Sequence, residues 1–169
     1  LTHGETPSIA NDGEVKLLYV QELVYKLIDE IRSEKSQTEL FVEPTSTKKV
    51  SEVLALLNEY KTKYSDGGQI PVLNSNFEHN LFNTYRSYID NKTHYPVKFT
   101  QHTDPRGAFV EVIRLGIGGQ CSFSTTVPGI TRGNHYHTRK IERFAVIKGK
   151  ALIQLRKIGT DEVLDFYLE

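Results

Sequence analysis

The sequence predicts an α+β chain, helical to about residue 95 and an all-β barrel or sandwich from residue 96 onward. Apolar residues recur at helical spacing through the first ninety or so positions. Near Pro96 that spacing gives way to the alternation of extended strands, with tight turns between the runs.

Val20, Leu23, Val24, Leu27, Ile28 and Ile31 make one apolar stripe and define the first helix. A short strand-like piece follows at Leu40 to Val42. Val50, Val53, Leu54, Leu57 and Tyr60 mark a second helix, with Thr47 as its expected N-cap and Asp66-Gly67-Gly68 as its terminator. Asn74-Ser75-Asn76 offers caps for a third helix carrying Phe77, Leu81, Tyr85, Tyr88 and Ile89. Strands are then expected over residues 108–114, 120–127, 143–147, 151–156 and 163–168. Turns fall at Gly116 to Gly119, Pro128-Gly129, Lys148-Gly149 and Gly159 to Asp161. The change of rhythm places a domain boundary between residues 95 and 96, giving domains 1–95 and 96–169.

Charge and composition narrow the function. The chain has 169 residues, with 21 Lys plus Arg against 21 Asp plus Glu. That balance gives neither nucleic acid nor an anionic membrane a basic face to bind. No apolar run is long enough to span a bilayer. Cys121 is the single cysteine, which excludes an intrachain disulfide and suits a reducing cytoplasm. Asn91-Lys92-Thr93 fits a glycosylation triplet but reads as a turn. The chain starts at Leu1 without any methionine and stops inside a strand-like run, so it is expected to be part of a longer protein.

The chemistry concentrates between Gly129 and Gly149. On a strand, His135 and His137 share a face while Tyr136 points away, and a turn at Thr138 to Lys140 returns Glu142 to the same side. Two imidazoles and a carboxylate converging inside a barrel suit Zn²⁺, Fe²⁺, Mn²⁺ or Ni²⁺.

The spacing Gly, five residues, His-x-His, four residues, Glu, six residues, Gly resembles the first motif of the cupin superfamily. This implies a double-stranded β-helix, jelly-roll-like barrel, incomplete over the residues present, with a divalent metal (zinc foremost) on His135, His137 and Glu142. A further histidine ligand is expected beyond residue 169.

Asp104-Pro-Arg106-Gly107-Ala-Phe109-Val-Glu111 resembles a strand of cupin-fold nucleotide-sugar epimerases, and the stretch through Arg132-Gly133-Asn-His135-Tyr136 resembles another. The likeness implies that Arg106, Phe109, Arg132 and Tyr136 bind a sugar nucleotide, the arginine forks suiting a diphosphate. It also implies His135 as the general base. Metal ligation competes for that imidazole, and a metal-polarised water or Glu111 is then the alternative base.

Leu17-Leu-Tyr-Val-Gln-Glu-Leu-Val24, Glu43 to Leu57 and Leu81-Phe-Asn-Thr-Tyr-Arg-Ser-Tyr88 resemble the C-terminal part of an extended short-chain dehydrogenase. A dehydrogenase fused to a C-terminal cupin is the arrangement of bifunctional capsular polysaccharide enzymes on the way to UDP-N-acetyl-L-fucosamine. The resemblance implies a UDP-linked 2-acetamido-4-keto-6-deoxy sugar as partner. The cupin would epimerise C3 and the dehydrogenase would reduce C4 with NADPH, in a cytoplasmic homodimer. No glycine-rich dinucleotide loop occurs in these residues, so NADPH is expected only through a dehydrogenase half outside them. The alternative expectation is a metal-binding cupin that serves as a non-catalytic sugar-binding or dimerisation module. A metal-dependent dioxygenase or isomerase of another substrate class is a third.

Overall fold

The computed structural model describes residues 1–33 and 38–169. It is a mixed α+β chain in two compact units, Leu1–Ile130 and Thr131–Glu169. The elements of the first unit are β1 (Glu14–Leu17), α1 (Val20–Arg32), β2 (Ser46–Lys49), α2 (Val50–Tyr60), β3 (Gln69–Ile70), α3 (Asn76–Ser87), α4 (Asn91–His94), β4 (Gln101–Asp104), β5 (Gly107–Leu115) and β6 (Gln120–Thr126). A π-helical turn, Lys61–Asp66, extends α2. The second unit holds β7 (Ala151–Arg156) and β8 (Val163–Leu168).

The three apolar stripes become α1, α2 and α3, and each start has a local cause. The Tyr19 N–H donates to the Glu22 carboxylate at 3.3 Å, and the Lys49 N–H donates to Glu52 at 2.8 Å. In each case a glutamate in the first turn reaches back to close an orphan donor. Ser75 caps α3 as expected, accepting from the Glu78 N–H. Thr47 does not cap α2. It lies within β2, opposite Lys16, and the cap falls at Lys49. The expected strand at Leu40 to Val42 is also absent. The pairing goes instead to Ser46–Lys49, which has β1 as its antiparallel partner.

An aromatic core holds α2 against α3. Tyr60, Phe82 and Tyr85 are buried, with Leu56, Leu57, Tyr64, Leu73, Leu81 and Ile89 packed around them. Tyr60 meets Phe82 edge to face at 5.1 Å, and its hydroxyl donates to the Glu78 carbonyl at 3.2 Å. Burial pushes the Tyr60 phenol up to about 12. Glu22 ties α1 to the same group, accepting from Thr45 Oγ1 at 2.7 Å and Asn80 Nδ2 at 3.1 Å.

β5 is the central strand of the β region. It pairs antiparallel with β4 and β6 and parallel with β3, so residues 69–70 and 114–115 share one ladder. A bulge between Glu111 and Ile113 shifts the β5–β6 register. Gly107 is required at the start of β5. Its φ is +143°, and a Cβ there would stand 2.0 Å from the Thr125 carbonyl oxygen.

In the second unit β7 and β8 form an antiparallel hairpin, from Ala151 opposite Leu168 to Arg156 opposite Val163. Both strands match the expected ranges. The strand expected over residues 143–147 does not form, because that stretch has no ladder partner among the described residues. The described strands fall into three separate sheets rather than one closed barrel.

Phe82→Ala removes a ring that touches Tyr60 and Tyr64. It is expected to cost about 3–5 kcal/mol of unfolding free energy, read by urea denaturation of helical ellipticity. A cost under about 1 kcal/mol would show that this aromatic cluster is not the core of its unit.

Candidate metal centre

The second unit brings the three expected ligands together. His135 Nε2 lies 3.0 Å from His137 Nε2, and His137 Nε2 lies 3.5 Å from Glu142 Oε1. One donor atom from each residue falls within 4.8 Å of the others. The two imidazoles stand edge to face, with centroids 4.7 Å apart and planes at 75°. Donors sitting about 2.0–2.2 Å from one ion are roughly 3–3.5 Å from each other, so the His135–His137 and His137–Glu142 separations suit a divalent metal. A fourth protein ligand is not among the described residues within this group.

The means of convergence differs from the expected pair of strands. Residues 131–150 carry no ladder, so strand alternation does not orient the imidazoles. A left-handed turn stands immediately before them instead. Gly133 has φ +91° and Asn134 has φ +58°, the latter being the one non-glycine residue with positive φ among those described. Asparagine tolerates that region far better than branched side chains do. The Gly133-Asn134 dipeptide was visible in the sequence as a turn signal, but not as the device that aims His135.

The group is also more open than a barrel interior. The His137 and Glu142 side chains keep 32% and 27% of their exposure. Lys140, which the sequence placed only in a turn, donates to Glu142 Oε1 at 2.5 Å. That hydrogen bond holds the Glu142 carboxyl below the usual carboxylate range, with slight desolvation opposing it and the charges of Lys140, His137 and His135 adding to it. Glu142 is therefore an ionised donor throughout the neutral range. A metal held here would compete with the Lys140 ammonium for the Glu142 carboxylate.

The remaining candidates divide between the two units. Tyr136 is 69% exposed and Arg132 is half-buried, both in the second unit. Phe109 is half-buried on β5 opposite Ser124, in the first unit. Arg106 is engaged within its own turn. Its Nε and Nη2 donate to Asp104 Oδ2 at 3.1 and 2.6 Å, and its N–H donates to Oδ1 at 2.8 Å. Glu111 is similarly committed, accepting a bidentate fork from Arg114 at 2.8 and 2.7 Å. That pairing holds the Glu111 carboxyl below its ordinary range, which makes it a weaker base than a free carboxylate. The three-residue spacing of Glu111 and Arg114 was the available signal for this pair.

Comparison with known proteins relates the chain to polysaccharide biosynthesis proteins. Residues 102–169 match the family model described as the polysaccharide biosynthesis C-terminal domain. A UDP-2-acetamido-2,6-beta-L-arabino-hexul-4-ose reductase of Pseudomonas aeruginosa is 34% identical over 151 residues, covering 89% of this chain and 40% of the relative. The chain resembles the C-terminal part of a capsular polysaccharide synthesis enzyme. The crystal structure of the capsular polysaccharide assembling protein CapF from Staphylococcus aureus superposes with a TM-score of 0.79 at 31% identity, covering 99% of this chain and 46% of that one. A structure of CapF with the inhibitor 3-isopropenyl-tropolone gives a TM-score of 0.81 at 29% identity, covering 99% and 49%. The chain thus spans less than half the length of these relatives. No helix among the described residues is long and apolar enough to cross a membrane.

The turn and the donors make a joint prediction for metal affinity, measured by chelator competition. His137→Ala is expected to weaken divalent-metal binding by about a hundredfold or more, since one of three donors is lost. Asn134→Val is expected to weaken it by about tenfold, since a β-branched residue in the left-handed region costs roughly 1–2 kcal/mol. Asn134→Gly should leave it near the original value. Equal effects of valine and glycine would contradict the role of the turn.

Proposed function

We propose that this chain is part of a nucleotide-sugar epimerase/reductase of capsular or surface polysaccharide biosynthesis. The observation that carries the reading is the convergence of His135, His137 and Glu142 inside the segment that matches the polysaccharide biosynthesis C-terminal domain. In this reading residues 96–169 contribute to a cupin and residues 1–95 to the dehydrogenase-like sugar-nucleotide domain of a cytoplasmic homodimer. The substrate is a UDP-linked 2-acetamido-4-keto-6-deoxy sugar. The cupin inverts C3, and the dehydrogenase domain, through a cofactor site outside these residues, reduces C4 with NADPH.

The chemistry asks two things of the site. Removing the proton from the carbon beside a ketone leaves an enolate, so a base must take the proton and positive charge must stabilise the oxygen. A divalent metal, zinc foremost, supplies that positive charge as a Lewis acid when bound. His135, His137 and Glu142 hold it, with Glu142 ionised for the purpose. An imidazole that ligates through Nε2 cannot take a proton at the same atom, which shifts the basic role from His135 toward Glu111. Glu111 must then exchange its Arg114 contact to act. Arg106, Phe109, Arg132 and Tyr136 are assigned to binding the sugar nucleotide.

A second reading is supported by two of the same observations. The donors are open to solvent, and Glu111 is tied up by Arg114. A metal-binding module that only holds sugar or pairs subunits needs neither a closed site nor a free base.

Solvent deuterium incorporation at C3 of the keto-sugar by the full-length protein separates the two. The enzymatic reading expects incorporation that falls by about 10²–10⁴-fold in Glu111→Gln with metal content unchanged. It also expects incorporation to vanish in His137→Ala as the metal is lost. Incorporation that survives metal loss would overturn the role given to the ion. No incorporation under any condition would favour the non-catalytic module.

A further inference from the structure

Arginines of the first unit are held in two ways. Arg106 and Arg114 are each forked onto a neighbouring carboxylate. Arg86, in the last turn of α3, makes no ion pair among the described residues. Its guanidinium carbon instead lies 5.8 Å from the ring centroids of both Tyr64 and Phe82. Those rings attract the cation through their faces but leave its in-plane N–H donors pointing elsewhere.

The donors have a cleft beside them. Tyr64, Asn83, Arg86, Ser87, Ile89, Asn91 and Tyr95 line a cavity of about 330 Å³. Its lining contains one guanidinium, two phenols, two carboxamides and a hydroxyl, and no carboxylate. Three structural devices place these groups together. The π-helical turn after α2 carries Tyr64, a kind of irregularity that often marks functional sites. The C-terminal turn of α3 supplies Asn83, Arg86 and Ser87, and the start of α4 supplies Asn91. His94 stacks on Tyr64 at 24° and meets Tyr95 edge to face, which fixes both phenol rings. The nearest acid in sequence, Asp90, is occupied by capping α4 through the Lys92 N–H.

We infer that this cleft, which no part of the proposed reaction uses, is a binding site for a small phosphorylated ligand, with Arg86 as its anchor. A guanidinium fork and neutral donors suit a phosphate-class oxyanion, and the lack of a lining carboxylate removes the main source of repulsion. The volume lies at the low end for small-molecule pockets, with room for an anion and a body of about sugar size. The Tyr64 and Tyr95 hydroxyls are hydrogen-bonded to each other, which leaves one O–H of the pair to donate to the anion.

Ligand-observed phosphorus NMR tests the site on the intact protein after chelator treatment, so that phosphate cannot bind through the metal centre. Inorganic phosphate is the probe, at constant ionic strength in chloride. Saturable line broadening is expected with the native protein, and it should persist in excess UDP. Arg86→Gln should reduce the broadening at least tenfold, Arg86→Lys should retain part of it, and Arg156→Gln in the other unit should leave it unchanged. Helical ellipticity and the unfolding midpoint of each variant confirm that it folds. Broadening that is unaltered in folded Arg86→Gln, or absent from the native protein, overturns the inference. Broadening abolished by UDP would assign the phosphate to the nucleotide-sugar site and also overturn it.

Discussion

The metal group depends on a constraint that regular secondary structure does not supply. Three donors must meet within 4.8 Å on a stretch of chain with no ladder to fix its direction. The turn at Gly133 and Asn134 meets that need by setting the backbone just ahead of His135. Lys140 meets it at the other end, pinning the Glu142 carboxylate beside the imidazoles. Convergence here is therefore local, written within ten residues. The contact that positions Glu142 also ties up one of its oxygens, so placement and affinity pull in opposite directions.

The first unit shows the complementary strategy. Its helices are fixed by an aromatic core and by carboxylates that close helix starts or bridge elements, as Glu22 does between α1, the chain before β2, and α3. The same chemistry decides what its arginines can do. Arg106 and Arg114 are neutralised by partners two or three residues away, which orders the turn at Asp104 and the β5 bulge but removes forks from ligand binding. Arg86, held by rings rather than carboxylates, keeps its donors available. Ring faces and carboxylates can both hold an arginine in place, but only the carboxylate consumes its hydrogen bonds.

Much of this was legible from residue order, and the failures have a common cause. The apolar stripes gave α1, α2 and α3 because helical periodicity is a local property. β7 and β8 were also found at their observed bounds, since a short connection joins the two partners. Leu40 to Val42 and residues 143–147 misled because a strand exists only with a ladder, and composition does not reveal the partner. β3 and β4 escaped notice for the converse reason: two residues at Gln69 and four polar residues at Gln101 become strands only because β5 lies beside them. The ligand trio was visible as spacing, although the alternation argument for it was mistaken in its means. The partners that commit Arg106 and Glu111 lay two and three residues away, but side-chain choice among several nearby charges is settled in three dimensions.

The central claim is that His135, His137 and Glu142 bind one divalent metal together. X-ray absorption at the edge of the bound metal, on the intact protein, reads the ligand set directly. The account predicts at least two imidazole nitrogens at about 2.0–2.1 Å, with oxygen completing the shell that the protein provides in these residues. A sulfur neighbour at about 2.3 Å, or fewer than two imidazoles, would contradict it.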